Sequence, residues 1–169
     1  MTTAADAGLV ELRIAKVVGL GAAKDELVPC VVLDEVAGDR HLPILIGLAE
    51  AFSLAAHLGG IAWRRPMTYQ LTAALVQALG GRVWQVRIDR LVGEAYGATV
   101  EVDGPLGLRS VDARPSDALN LAVLVNARIF AAAEVLQEAE ARRAGDSAEA
   151  ALLRQALVAS PMTVGTVGM

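Results

Sequence analysis

The chain has 169 residues, enough for one domain with a full core, since domains run to about 100–200 residues. A 54% hydrophobic and 4% aromatic composition gives an aliphatic core with few stacking surfaces: Trp63, Trp84, Tyr69 and Tyr96 are the aromatic handles, while Phe52 and Phe130 are expected in the core. A net charge of −4 argues against a broad basic nucleic-acid face, the single Cys30 excludes an internal disulfide or a cysteine metal cluster, and no apolar run reaches the ~18 residues of a membrane span.

Residues 1–6 lack a basic stretch followed by an apolar one, so a cytoplasmic chain is expected. Val10, Leu12 and Ile14 alternate with Glu11 and Arg13 at the period of a half-buried strand, and Gly19-Leu20-Gly21 reads as a turn. Residues 30–33 and 42–46 give two more strands, joined by a hairpin loop over 36–40. Gly47 opens a helix that Gly59-Gly60 stops after Leu58. An irregular linker, 61–67, leads to Thr68 as N-cap of a second helix, whose Leu71, Ala74, Leu75 and Ala78 recur at the spacing of a buried face. Strands then run through Trp84, Val86 and Ile88, through Tyr96, Ala98, Val100 and Val102, and from Leu108 to Ala113. Pro115 suits the first position of a third helix. Ile129-Phe130 reads as a short edge strand, 131–144 as a polar helix, and Asp146 with Glu149 as a capping box for a last helix ending near Ala159, with 160–169 frayed.

The two halves resemble each other. Residues 13–19 match 87–93 at an offset of 74, and 50–55 match 117–122 at an offset of 67. Each half reads strand, strand, strand, helix, giving an α+β chain of mostly antiparallel sheets packed with helices and a C-terminal helical tail. The duplication places Glu50 and Asp117 at equivalent positions in the first turns of two helices.

The densest charge lies at Val111-Asp112-Ala113-Arg114-Pro115-Ser116-Asp117-Ala118, entering an apolar helix. Two readings stand. In one, Asp112 and Asp117 present oxygen ligands to Mg²⁺ or Mn²⁺ and Arg114 meets a phosphate oxygen, the needs of metal-assisted phosphodiester hydrolysis. In the other, Asp112 pairs with Arg114 or Arg65 and ties a strand–helix corner, and the first-turn carboxylates of Glu50 and Asp117 simply complement helix dipoles. His41, at a strand entry, and His57, near a helix end, are poor catalytic candidates by position; Ser116 has no partner histidine motif, and no phosphate-binding glycine loop is present. Arg64-Arg65, between Trp63 and Tyr69, is the one basic patch with aromatics interleaved.

The segments 42–47, with Glu50-Ala51 behind them, Arg65-Pro66-Met67-Thr68, and above all 111–118 resemble the bifunctional nuclease domain family, small bacterial and plant proteins credited with DNase and RNase activity. The resemblance covers about residues 9–136 and leaves 137–169 as a helical extension with a frayed end. It implies an α+β fold, self-association as a homodimer or other homo-oligomer, DNA or RNA as substrate, and Glu50, Arg65, Asp112, Arg114 and Asp117 as site residues, with Asp112 and Asp117 toward the metal. Where the family has Thr-His followed by an acid, this chain has Thr68-Tyr69-Gln70, and it keeps one aromatic, Tyr96, of a usual pair. A tyrosine with an ordinary pKa near 10 is a poor base at neutral pH. The alternative is a non-catalytic, self-associating regulatory domain that keeps the fold and uses the charged motif as structure.

Overall fold

The computed structural model describes residues 8–21 and 27–164. The leader reading of 1–6 and the last five residues of the frayed end lie outside them.

Alternation and β-branched content give β1 (Leu9–Gly21), β2 (Leu27–Glu35) and β3 (His41–Leu45), an antiparallel meander followed by α1 (Leu48–Leu58). After α2 (Thr68–Ala78), the pattern repeats as β4 (Arg82–Val92), β5 (Ala95–Gly104), β6 (Gly107–Ala113) and α3 (Pro115–Val125). The chain closes with β7 (Arg128–Ala132), α4 (Ala133–Ala144) and α5 (Ala148–Val158).

All strands join one seven-stranded mixed sheet in the order β3-β2-β1-β7-β4-β5-β6. The two meanders flank β7, which runs antiparallel to β1 and parallel to β4. Ile129-Phe130 is therefore part of the central strand rather than an edge, because β7 supplies ladder partners to both halves at once. The duplication is visible in the backbone: β-bulges fall at Ile14/Lys16 and at Ile88/Arg90, equivalent positions at the offset of 74.

One face of the sheet packs against α1 and α3. Leu33, Leu42, Val86, Ile88 and Ala98 from the strands meet Leu54, Ala118, Leu119 and Ala122 from the helices, all fully buried. The alanines allow helix α3 to settle close to the strands, and seven of its eleven residues are buried. On the other face a smaller cluster, Val18, Leu20, Cys30 and Val32, is covered by Ala156 of α5 with Leu152 and Leu157.

Several local expectations are corrected. β1 continues through Gly21, so its connection to β2 falls on 22–26, outside the described residues, rather than at Gly19-Gly21. Met67, not Thr68, is the N-cap of α2, and its N–H donates to Gln70 Oε1 at 2.8 Å. Helix α4 starts at Ala133 because 131–132 belong to β7. Ser147 caps α5 by accepting from the Ala150 N–H at 3.0 Å, displacing Asp146 from that role. Phe52 is exposed beside Trp63, and Phe130 lies half-buried under the Arg128 guanidinium; neither is core. The stripe Leu71, Ala74, Leu75, Ala78 faces outward, and α2 buries none of its residues.

Candidate functional site

Three helices begin at one place. Glu50 occupies the third position of α1, Tyr69 the second position of α2, and Asp117 the third position of α3, and their side chains meet around Arg114, the N-cap of α3. Arg114 Nε donates to Asp117 Oδ2 at 2.7 Å, and its Nη2 donates both to Asp117 Oδ1 at 2.9 Å and to Glu50 Oε1 at 2.8 Å. The Tyr69 hydroxyl donates to Asp117 Oδ1 at 2.6 Å. The duplicated carboxylates thus converge on a single guanidinium, which the sequence offset of 67 made legible without showing the shared partner.

Packing beneath the cluster fixes it. Asn120, buried in α3, donates to the Ser116 carbonyl at 2.9 Å and across to the Glu50 carbonyl at 3.2 Å, clamping the first turn of α1 to α3. At Gly47 a Cβ would stand 2.2 Å from Glu50 Oε2, so the absence of a side chain there lets the carboxylate fold back over its own helix start.

The electrostatics follow from these contacts. Burial alone would push the Asp117 carboxyl up, but hydrogen bonds from Arg114 and Tyr69 outweigh it and hold Asp117 below its ordinary value. The Tyr69 phenol is driven well above 10 by burial and by the Asp117 carboxylate that accepts its proton, so it is a fixed donor at neutral pH. Arg114 is held protonated by Asp117 and Glu50. Its side chain is nevertheless 66% exposed, against 16% for Glu50, and its Nη1 takes no part in either pair.

Arg114 and Ser116 also line a cleft of about 440 Å³ between the end of β3, the β4–β5 turn, the start of α3 and the flanks of α4 and α5. Across it the Arg142 guanidinium lies over the Tyr96 ring at 5.0 Å. Arg65 sits exposed in the loop before α2, two residues ahead of its N-cap, with no ion pair among the described residues.

Asp112 goes elsewhere. Its strand neighbour Ala113 packs against the main core, and its ladder partner Thr99 alternates with the core residues Ala98 and Val100, so Asp112 projects from the opposite face of the sheet. There it is 86% exposed and accepts from Arg90, which also donates to Asp89 Oδ1 and Thr99 Oγ1. The expected pairing with Arg114 or Arg65 is replaced by Arg90. The expected Mg²⁺ or Mn²⁺ shared by Asp112 and Asp117 does not fit either: the two carboxylates lie on different faces, and both oxygens of Asp117 are already taken. Among the described residues no group of three or more His, Cys, Asp or Glu side chains is placed to hold a metal ion. His41 is bonded to Asp34 at 2.8 Å, away from the cluster in sequence and sheet, and His57 lies in the last turn of α1.

Tyr69 is the residue of this cluster that the motifs did not single out. Its position directly after Thr68 at a helix start was the available signal.

The uncharacterized protein Rv1829 of Mycobacterium tuberculosis is 36% identical over 124 residues, 73% of this chain and 74% of that protein. Bifunctional nuclease 1 of Arabidopsis thaliana is 35% identical and bifunctional nuclease 2 of Oryza sativa subsp. japonica 32% identical, each over 99 residues, 56% of this chain but 30% of the plant protein. A model of the bifunctional nuclease domain matches residues 31–144, from β2 through the converging helix starts to the end of α4. On that match, which takes in most of the chain and the whole Glu50–Tyr69–Arg114–Asp117 cluster, this protein belongs to the bifunctional nuclease domain family.

Proposed function

We propose that this chain hydrolyses phosphodiester bonds of DNA or RNA at the point where α1, α2 and α3 begin. The observation that carries the reading is Arg114: an exposed guanidinium with a free Nη1, at the meeting of three helix N-termini and on the wall of a cleft. Helix starts present unsatisfied N–H groups and partial positive charge, which favour an anion, and a guanidinium matches phosphate oxygens. Arg114 holds the scissile phosphate through Nη1, and Arg65 takes a neighbouring phosphate. Glu50 is the carboxylate that orients the attacking water, since its Oε2 is not used by Arg114 whereas Asp117 is fully engaged. Tyr69 and Asp117 are positioning residues that fix Arg114. No step runs through a metal.

A second reading has its own observation. Arg114 is paired with both carboxylates at once, which is what a purely structural corner between helices would require.

The test is cleavage of labelled single-stranded DNA and RNA by highly purified protein in Mg²⁺, Mn²⁺ or EDTA, beside equally purified Arg114→Gln and Glu50→Gln proteins whose folding is checked by circular dichroism. The expected result is cleavage that persists in EDTA and falls about 10²-fold or more in each folded variant. Equal traces in all three proteins would instead assign the cluster to architecture, and Asp117→Ala would then lower thermal stability with no activity to lose.

A further inference from the structure

The cleft beside Arg114 holds polar groups that no contact within the chain explains. Tyr96 lines it, and the Tyr96 hydroxyl is buried without a hydrogen-bond partner among the described residues. A buried hydroxyl left unpaired destabilises a fold, and phenylalanine would pack the same ring without that loss, so a partner from outside the chain is called for. Arg142 is fixed over the Tyr96 ring at 5.0 Å by two further bonds, its Nε donating to Glu138 Oε1 at 3.0 Å and its Nη1 to the Glu94 carbonyl at 2.5 Å. Glu149, in the first turn of α5, is exposed on the cleft wall, near enough to act electrostatically on both Tyr96 and Arg142, and its carboxylate accepts no hydrogen bond from a described residue. Ile44 and Ile46, at the end of β3 and just beyond it, add apolar wall.

On the reading of Arg114 as the phosphate-holding residue, we propose that the cleft receives the base of the nucleotide attached to that phosphate, and that Glu149 and the Tyr96 hydroxyl select a base with an exocyclic amine, cytosine or adenine. The size fits one such unit, since about 440 Å³ lies within the ~300–1,000 Å³ of small-ligand pockets and is too little for a length of strand. The chemistry favours a base over a second phosphate. Arg142 is already paired with Glu138, and Glu149 would repel an anion. A planar guanidinium held against an aromatic ring is instead a stacking surface for a base, and the isoleucines suit an apolar ring face. A carboxylate accepts from the amino group of cytosine or adenine, whereas uracil and thymine present a carbonyl oxygen at that edge. The Tyr96 hydroxyl can donate or accept, so a ring nitrogen or carbonyl of the bound base completes its missing bond.

The full chain is titrated with cytidine 5′-monophosphate, uridine 5′-monophosphate and ribose 5-phosphate, binding being followed through amide shifts by NMR, which reads millimolar as well as tighter dissociation constants. Cytidine monophosphate should bind at least about tenfold more tightly than either of the others. Tyr96→Phe should keep or raise the melting temperature, because the hydroxyl it removes has no partner in the chain, yet weaken cytidine monophosphate about tenfold. Glu149→Gln, at an exposed position, should leave folding unchanged and abolish the preference for cytidine over uridine, because a carboxamide both donates and accepts. Equal affinity for cytidine monophosphate and ribose 5-phosphate, no binding of any of the three, or a Tyr96→Phe protein that binds as wild type would each overturn the proposal. Base-selective binding in a protein that cleaves nothing would sink the hydrolytic reading and leave the base site standing; cleavage without base selectivity would do the reverse.

Discussion

Asp117 accepts three hydrogen bonds on two oxygens, two from Arg114 and one from Tyr69, and this settles both what it can do and how it titrates. A carboxylate so engaged is a weak base, which is why the attacking-water role falls to Glu50. Its pKa in the folded chain is depressed below the ordinary value near 4, so its contribution to stability is present above that pH and is lost as pH falls through the folded value. Glu11, held by Arg128, and Glu35, held by Arg40, act in the same direction and share the acid limb. The part owed to Asp117 is isolated by comparison: melting temperatures of wild type and Arg114→Gln, measured from pH 6 down to 2.5, should converge as the pH falls, the gap being widest at pH 6. A gap that stays constant with pH would mean that Arg114 does not hold Asp117 in solution. At this scale the motif 111–118 was read correctly as a place of fixed charge, while the partners were not legible. Asp112 and Asp117 are five residues apart across a strand-to-helix corner, and the strand's period of two sends Asp112 through the sheet. The alternation of Asp112 with Val111 and Ala113 carried that information.

Elements bring the site together through a few side chains that carry no chemistry. Asn120 is the clearest case, since its amide joins the Glu50 carbonyl of α1 to the Ser116 carbonyl of α3 inside the protein. Asn120→Ala leaves the Glu50 carbonyl without that donor, and a lost buried hydrogen bond of this kind costs about 1–3 kcal/mol. Denaturant unfolding should show that loss with an unchanged m-value, and the rate of any cleavage should fall as α1 and α3 loosen; unaltered stability would show that packing of Ala51 and Leu54 alone holds the helices. The strand and helix pattern was readable because alternation is local: the three strands of each half, α1, and Pro115 at the start of α3 are all present, although β1 runs on through the expected turn and the caps of α2 and α5 fall on Met67 and Ser147. Strand order was not readable. β7 has five residues and pairs antiparallel to β1 on one side and parallel to β4 on the other, a placement fixed by tertiary contacts that no local pattern encodes. The stripe on α2 was legible as amphipathic, but periodicity identifies an apolar face without saying whether its partner is in the same chain.

For the molecule as a whole, the two faces of the sheet are stabilised differently. The main core is shared by both duplicated halves, whereas the second face depends on α5 folding back over β1 and β2 to cover Val18, Leu20, Cys30 and Val32. What anchors that helix is Lys16, displaced by the β1 bulge so that its Nζ donates to the Leu157 and Ala159 carbonyls at 2.8 and 2.7 Å. A cation at a helix C-terminus both satisfies free carbonyls and complements the dipole. In the other half the equivalent bulge residue, Arg90, reaches Asp112 instead, so one duplicated feature secures a helix in one half and a strand edge in the other. Cys30 reports on the first of these. Burial beneath α5 pushes its thiol up to about 12, and in the closed state it should not react with a thiol reagent at pH 8. Labelling therefore requires α5 to open, alone or with the whole chain. Lys16→Met removes the anchor without touching the main core. If α5 opens as a separate unit, each 1.4 kcal/mol lost from its docking raises the Cys30 labelling rate about tenfold, while the global denaturant midpoint moves less than that loss predicts. If labelling and global stability fall in step, α5 and the duplicated core are one cooperative unit, and Lys16 contributes to the stability of the entire fold.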